Sequence, residues 1–144
     1  MQDLLLGYPP DSPPTDDDVR EWIQRRSADP NERFLVISGP DKSCCGYVQL
    51  TSIHWKGGYG NVGVAVAPEA RHKGWAKRAV AELLSQATSE IGLRKAMAEI
   101  RADNIASLTL FKTLGFDQVG MLQDHYKGYG VAIMEKLMVA SLKR

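Results

Sequence analysis

The stretch VAVAPEARHKGWA, residues 64–76, joins a β-strand pattern to an α-helix pattern. The strand ends at Pro68, and from Gly74 onward apolar residues recur at helical spacing as far as Ile91. A helix that begins near Gly74 points its first N–H groups and the positive end of its dipole toward the preceding loop. The stretch therefore predicts a strand–loop–helix unit whose loop can hold an anion with backbone groups alone.

The side chains of this loop also suit an anion. Gly74 allows a close backbone approach, and Ala76 is small enough to leave room for a phosphate. Arg71, Lys73 and Lys77 add positive charge at the same end of the helix. A helix start rich in lysine and arginine is equally typical of a solvated surface, so the residues alone leave both interpretations open.

A second glycine pattern, GYGNVG at residues 58–63, has the glycine spacing of the dinucleotide-binding fingerprint but not its surroundings. The fingerprint requires a strand, a glycine turn and then a helix, whereas the residues after Gly60 form a β-branched, alternating pattern that predicts a strand. We interpret the glycines as parts of a hairpin turn, where positive φ angles are needed. No dinucleotide site is expected there.

The composition is that of an ordinary globular domain, with 44% hydrophobic and 24% charged residues in a chain of 144. A net charge of +1 gives no reason to expect a nucleic acid or an anionic membrane as partner. No run of 18 apolar residues occurs, so we expect a soluble, cytoplasmic protein. The adjacent cysteines Cys44 and Cys45 and three scattered histidines suit neither a framework disulfide nor a metal site, and no metal is expected.

Three helix patterns and six strand patterns follow a proline-rich start. Residues 1–14 are predicted to be irregular, and residues 15–144 to form a single domain in which Thr15 caps the first helix. Helices are expected at about 16–27, 74–92 and 104–114, and strands at 33–38, 45–55, 60–67, 95–101, 116–125 and 131–139. This order predicts an α/β (α+β) fold with one mostly antiparallel twisted sheet and helices on both faces.

Two blocks of the sequence resemble the GNAT family of N-acetyltransferases. The run from Val64 to Ala76 fills every defining position of the family's acetyl-coenzyme A signature, V-x-V-x-P-x-x-[RQ]-x-x-G-x-[GA]. The second block, N-x-x-[AS]-x-x-[LF]-[YF]-x-x-x-G-F, is matched by Asn104, Ser107, Leu110, Phe111, Gly115 and Phe116. The resemblance runs from about Phe34 to Met138. It implies the GNAT fold, with the family's first strand and helix missing or shortened.

The resemblance also implies acetyl-coenzyme A as co-substrate and a set of residues that would hold it. The backbone of the strand would pair with the pantetheine arm as an added strand pairs with a sheet edge, and the loop would cradle the pyrophosphate. Asn104 also suits an N-cap, and the two roles are compatible. The full cofactor set is Val64, Ala65, Val66, Arg71, His72, Lys73, Gly74, Trp75, Ala76, Lys77, Asn104, Ser107 and Phe111.

Acetyl transfer to an amine needs a base for the ammonium proton and benefits from an acid for the leaving thiolate. Glu99 is the expected base, because it stands five residues before Asn104, where related ribosomal-protein acetyltransferases carry a proposed base. A solvent-facing strand residue is the alternative interpretation. The tyrosine that many members use as acid is replaced by Phe111, which cannot donate, so Tyr126 is the expected acid, with Tyr129 or water as alternatives.

The acceptor is predicted by a narrower resemblance. Residues 46–50 and 124–126 look most like the branch that acetylates amino sugars on nucleotide carriers. We therefore expect a primary amine of a small molecule, with an amino-sugar nucleotide first. A peptide or ribosomal-protein N-terminal amine is the alternative acceptor, and a coenzyme A binding module without turnover is the alternative from another class. A homodimer is left open.

Overall fold

The computed structural model describes residues 15–138. Helix α1 begins with a capping box, in which the Thr15 hydroxyl accepts from Asp18 N and the Asp18 carboxylate accepts from Thr15 N. A short 3₁₀ turn at Pro68–Ala70 precedes the second helix. The elements in chain order are α1 (Asp16–Ala28), β1 (Arg33–Ser38), β2 (Cys44–His54), β3 (Tyr59–Val66), α2 (Trp75–Ile91), β4 (Lys95–Arg101), α3 (Ile105–Thr113), β5 (Asp117–Tyr126) and β6 (Tyr129–Leu137).

The six strands form one sheet in the order β1-β2-β3-β4-β6-β5. Every neighbouring pair is antiparallel except β3 and β4, which run parallel because helix α2 connects them. The parallel ladder covers only residues 59–61 of β3 and residues 95–97 of β4. Beyond these residues the two strands are no longer paired, which leaves a gap in the middle of the sheet.

The two faces of the sheet differ in what covers them. Val48 and Leu50 of β2 are fully buried and belong to the core that also contains Val80, Leu83 and Leu84 of α2. Their neighbour Tyr47 points to the opposite face because side chains alternate along a strand. There α1 packs, with the Trp22 ring 5.2 Å from the Tyr47 ring, centroid to centroid. Helices therefore lie on both faces.

The predicted mixed α/β fold with a mostly antiparallel sheet is confirmed. Strands β1 and β4 have the predicted bounds, and the other elements begin and end within two residues of expectation. The GYGNVG stretch forms part of the β2–β3 turn and of strand β3, so it opens no helix. The predicted irregular segment 1–14, the shortened first strand and helix, and the predicted end of the last strand at Val139 fall outside the described residues.

Candidate active site

The loop before α2 presents free backbone donors to one cleft. Gly74 is the N-cap of this 17-residue helix, with φ 77° and no side-chain hydrogen bond to the first turn. His72, two residues earlier, also has a left-handed conformation with φ 64°. The first N–H groups of an α-helix have no partner within the helix, so those of Trp75 and Ala76 are available to an anion. The local sequence thus builds the predicted strand–loop–helix turn, with its free N–H groups directed at the cleft.

The cleft at this loop has a volume of about 610 Å³. Strand β3 forms one wall with its last residues, and α3 forms the opposite wall with its N-terminal residues. Cationic side chains stand at the loop end, where the Lys73 ammonium also lies 5.0 Å from the centre of the Trp75 ring. The cleft is lined by Val64, Ala65, Val66, Ala70, Arg71, His72, Lys73, Gly74, Trp75, Ala76, Lys77, Arg101, Asp103, Asn104, Ala106, Ser107 and Leu110.

These lining residues include twelve of the thirteen positions expected to hold acetyl-coenzyme A. Their arrangement fits the group: the helix end and the cations match its phosphates, and the unpaired edge of β3 matches an extended amide chain. Asn104 is the N-cap of α3, since its carboxamide oxygen accepts from Ser107 N at 3.2 Å. The capping role expected for Asn104 is therefore present at the wall of the cleft.

Phe111 is the one residue of the expected cofactor set that does not line this cleft. Its ring is 3% exposed and meets Phe116 edge-on, with the ring centres 4.9 Å apart. It does not line the cleft, because it lies two turns into α3, on the side that packs against the core. Its ring instead contributes to a second cavity, described next.

The second cavity continues the first across the gap between β3 and β4. Its volume is about 360 Å³, and Val64, Arg101, Asn104 and Ser107 line both spaces. Glu99 and Tyr126, the expected base and acid, both line it. The remaining lining residues are Tyr47, Gln49, Val62, Gly63, Ile100 and Phe111. The fold thus brings the expected catalytic residues together at the inner end of the cofactor cleft.

An irregularity in β5 sets the position of Tyr126. Leu122 pairs with Val131 and Tyr126 with Tyr129, so β5 contains two more residues than β6 over this stretch. Asp124 lies within it with φ 48°, and its carboxylate accepts from Gly128 N at 2.7 Å. Asp124 tolerates this left-handed conformation better than most residues, since its short polar side chain bonds locally.

Arg101 stands at the border between the two spaces and is already paired. Its guanidinium donates to both carboxylate oxygens of Asp103, at 2.9 and 2.7 Å, and lies 4.1 Å from the centre of the Tyr129 ring. The side-chain hydrogen bond from Arg101 holds the pKa of Asp103 below its ordinary value. The charge of Arg101 is therefore balanced locally.

Sequence reasoning missed Tyr47 and Gln49 as members of this cavity. Both lie on β2, and they reach the site because β2 pairs with β3 in a register that sets Gln49 opposite Gly63. The signal was an alternation in which Tyr47, Gln49 and Thr51 occupy the face opposite Val48 and Leu50. That pattern identifies the second face but not the distant strand that shares it.

Comparisons with known proteins agree with this geometry. The family model of the acetyltransferase (GNAT) domain matches residues 2–117. The chain belongs to the GNAT acetyltransferase family. It is 23% identical to the uncharacterised N-acetyltransferase YnaD of Bacillus subtilis over 83% of this chain and 69% of that protein. It is 24% identical to a spermidine N(1)-acetyltransferase of Vibrio cholerae over 76% of this chain and 64% of that protein.

A solved structure shows the same fold. The crystal structure of the Vibrio cholerae spermidine N-acetyltransferase in complex with CoA and spermine superposes with a TM-score of 0.79, at 22% identity, over 90% of this chain and 79% of that chain. The chain spans about two thirds of the length of the curated relatives, 69% and 64%. The predicted class, an acetyl-coenzyme A dependent N-acetyltransferase of GNAT type, is confirmed at the level of the family.

Two further properties bear on the expectations from composition. No helix within residues 15–138 combines the length and the apolar character needed to cross a membrane. Within the same part of the chain, no group of three or more histidine, cysteine, aspartate or glutamate side chains could hold a metal ion.

Proposed function

We propose that this protein transfers the acetyl group of acetyl-coenzyme A to a primary amine of a small cationic molecule, of which a polyamine is the first candidate. The observation that supports this most directly is the continuity of the two spaces. One end offers helix N–H groups and cations for phosphates, and the other offers a carboxylate and a tyrosine for chemistry on an amine. The gap between β3 and β4 joins them.

Acetyl-coenzyme A supplies the activated thioester, and the chain's own residues position it and the amine. The loop at residues 71–77 and the edge of β3 hold the phosphate and amide parts. A backbone N–H of β3 near Val64 is the proposed donor to the carbonyl oxygen, and the lack of a strand partner for β3 on that side beyond residue 61 supports this. Binding at both ends aligns the reacting atoms before any bond changes.

Glu99 is the proposed base. It is exposed to the second cavity, and it lies on the sheet face that also carries Gln49 and Gly63. A carboxylate there accepts a proton from the ammonium, directly or through one water, and the free amine can then attack the thioester. Tyr126 is the proposed acid for the departing thiolate. Its phenol can donate, unlike Phe111 on another wall of the same cavity.

The charge of the second cavity favours a cationic acceptor. The acidic residue that lines this cavity is Glu99, and it has no ion-pair partner among the described residues. The positively charged residue that lines it, Arg101, is neutralised by Asp103. A diphosphate carrier would need an unpaired cation, and the described lining of this cavity offers none. The amino-sugar nucleotide predicted from the sequence is therefore the weaker candidate. A polyamine also agrees with the activity for which the Vibrio cholerae relative, a spermidine N(1)-acetyltransferase, is named.

A thiol-release assay with acetyl-coenzyme A and three amine classes tests the proposal. The classes are spermidine, a nucleotide-linked amino sugar and a peptide with a free N-terminus. We expect release with spermidine and an acetylated product seen by mass spectrometry. Release with only the sugar or only the peptide would replace the proposed acceptor. Binding of coenzyme A without release for any class would favour a binding module. The expected cytoplasmic location and the homodimer stay predictions.

A further inference from the structure

The side chain of Gln49 has a polar atom without a hydrogen-bond partner at the second cavity, which is called the acceptor cavity from here on because the proposed function places the amine there. Its carboxamide oxygen is buried and has no hydrogen-bond partner among the described residues. Two other buried side-chain atoms, Arg26 Nε and Glu32 Oε2, also have no hydrogen-bond partner. Both belong to one ion pair, in which Arg26 Nη1 donates to Glu32 Oε1, so each side chain is already paired through another atom. A buried carbonyl oxygen without a partner costs free energy, so Gln49 needs an explanation that packing alone does not give.

The strand opposite makes room for this carboxamide. Gln49 pairs with Gly63, and a Cβ atom at position 63 would stand 3.1 Å from Gln49 Nε2 and 3.3 Å from Gln49 Cγ. The absence of a side chain on Gly63 thus lets Gln49 fold across β3. This places the carboxamide over Gly63, two residues beyond the point where the pairing of β3 with β4 ends.

The groups around Gln49 are those of an amine site. Tyr47, Glu99 and Tyr126 line the same cavity, and register places Gln49 and Glu99 on one face of the sheet. The last torsion of a glutamine side chain is broad, so the carboxamide can turn its oxygen from the buried position into the cavity. An amine or ammonium group carries the N–H donors that this oxygen lacks.

From these observations we propose that the Gln49 carboxamide oxygen binds the acceptor nitrogen and orients it for attack, with Gly63 as the spacer that permits this position. The assignment rests on the proposed function, since it takes a small amine as the occupant. Glu99 removes the proton, whereas Gln49 fixes the direction of the lone pair by holding a second N–H. Gln49 is therefore a binding and positioning residue.

Calorimetric binding of spermidine to the protein saturated with coenzyme A tests the assignment without requiring turnover. Gln49→Met keeps the length of the side chain and removes the acceptor oxygen. We expect about 10-fold weaker spermidine binding, the scale of one lost hydrogen bond, and unchanged coenzyme A affinity. The melting temperature should stay equal or rise, because an unsatisfied buried group has been removed. Gln118→Met, on exposed β5, is the matched control and should bind as the wild type does.

A second variant protects the test against misfolding. Gln49→Glu keeps an acceptor oxygen, so it should bind spermidine at least as well as the wild type. Equal spermidine affinity of Gln49→Met and the wild type overturns the assignment. So does a parallel loss of spermidine affinity, coenzyme A affinity and melting temperature in both variants, since that marks a packing role. If the wild type itself binds no spermidine, the proposed acceptor fails first, and the assignment fails with it.

Discussion

The cofactor cleft and the acceptor cavity are built in different ways. The cleft depends on one contiguous stretch, residues 64–77, whose backbone N–H groups are aligned by the start of α2, and on the first turn of α3. The cavity depends on side chains from strands that are far apart in sequence, with Gln49 on β2, Glu99 on β4 and Tyr126 on β5. The cleft therefore offers its ligand mainly backbone N–H groups with nearby cations, whereas the cavity offers its ligand side chains.

This contrast predicts that substitutions separate into two classes. Changes in the loop before α2 should alter the affinity of the protein for coenzyme A, whichever acceptor amine is present. Changes on the walls of the cavity should alter turnover or amine affinity and leave coenzyme A affinity unchanged. A substitution that crosses this division would show that the two regions are coupled.

Glu99→Gln has the largest expected effect. The variant keeps the shape of the side chain and removes its basicity, so turnover at saturating spermidine should fall by roughly 100-fold or more. The loss should shrink as pH rises, because free amine then forms without a base. Steady-state rates across a pH series measure this. Full activity at neutral pH would mean that Glu99 is only a solvent-facing strand residue.

Gly74→Asp tests the other region, with Gly74→Asn as its isosteric control. Both residues tolerate the left-handed conformation of position 74, and a Cβ there meets nothing within 4 Å. The carboxylate places a negative charge beside the bound phosphates, so coenzyme A affinity should fall by about 30-fold for Asp relative to Asn. Calorimetry gives both values. Equal affinities would place the phosphates elsewhere.

Tyr126→Phe removes the proposed acid and should lower turnover about 10-fold, with coenzyme A affinity unchanged. Phe111 lies on another wall of the same cavity, so Phe111→Tyr can supply a hydroxyl from the other side. The double variant should recover part of the lost turnover if thiolate protonation limits the rate. An unchanged rate in Tyr126→Phe would assign that proton to water.

Asp103→Asn has the smallest expected effect. It leaves Arg101 charged and without its carboxylate partner at the border of the cavity, so spermidine affinity should fall by about 3-fold. Because the pKa of Asp103 lies below its ordinary value, the pair is present at neutral pH and is lost only on strong acidification. The ratio of the spermidine affinity of the wild type to that of Asp103→Asn should therefore stay constant between about pH 6 and 9. A ratio that changes in this range would contradict it.

The sequence predicted what is encoded locally. Gly74 and the helical spacing after it predicted the glycine turn that opens α2, Asn104 predicted the cap of α3, and the apolar run of β4 predicted the bounds of that strand. Each depends on residues within about one helix turn or one strand. Phe111 does not line the cofactor cleft as expected, because which side of α3 faces the core depends on Phe116 and the sheet beneath it.

Gln49 could not be found in this way. Its place in the cavity follows from the register of β2 with β3 and from the early end of the β3–β4 ladder. Register depends on the packing of whole strands, so a single sequence predicts that Gln49 faces away from the core but not what it meets. The same limit applies to the acceptor, whose identity depends on those walls.

A crystal structure with coenzyme A and spermidine tests the central claim most directly, namely that one channel through the gap between β3 and β4 joins the two sites. We predict the pyrophosphate at the N–H groups of Trp75 and Ala76, the sulfur atom beside Val64, and a spermidine nitrogen between Gln49 and Glu99. A coenzyme A molecule whose sulfur points away from the second cavity, or spermidine bound outside it, would contradict the account.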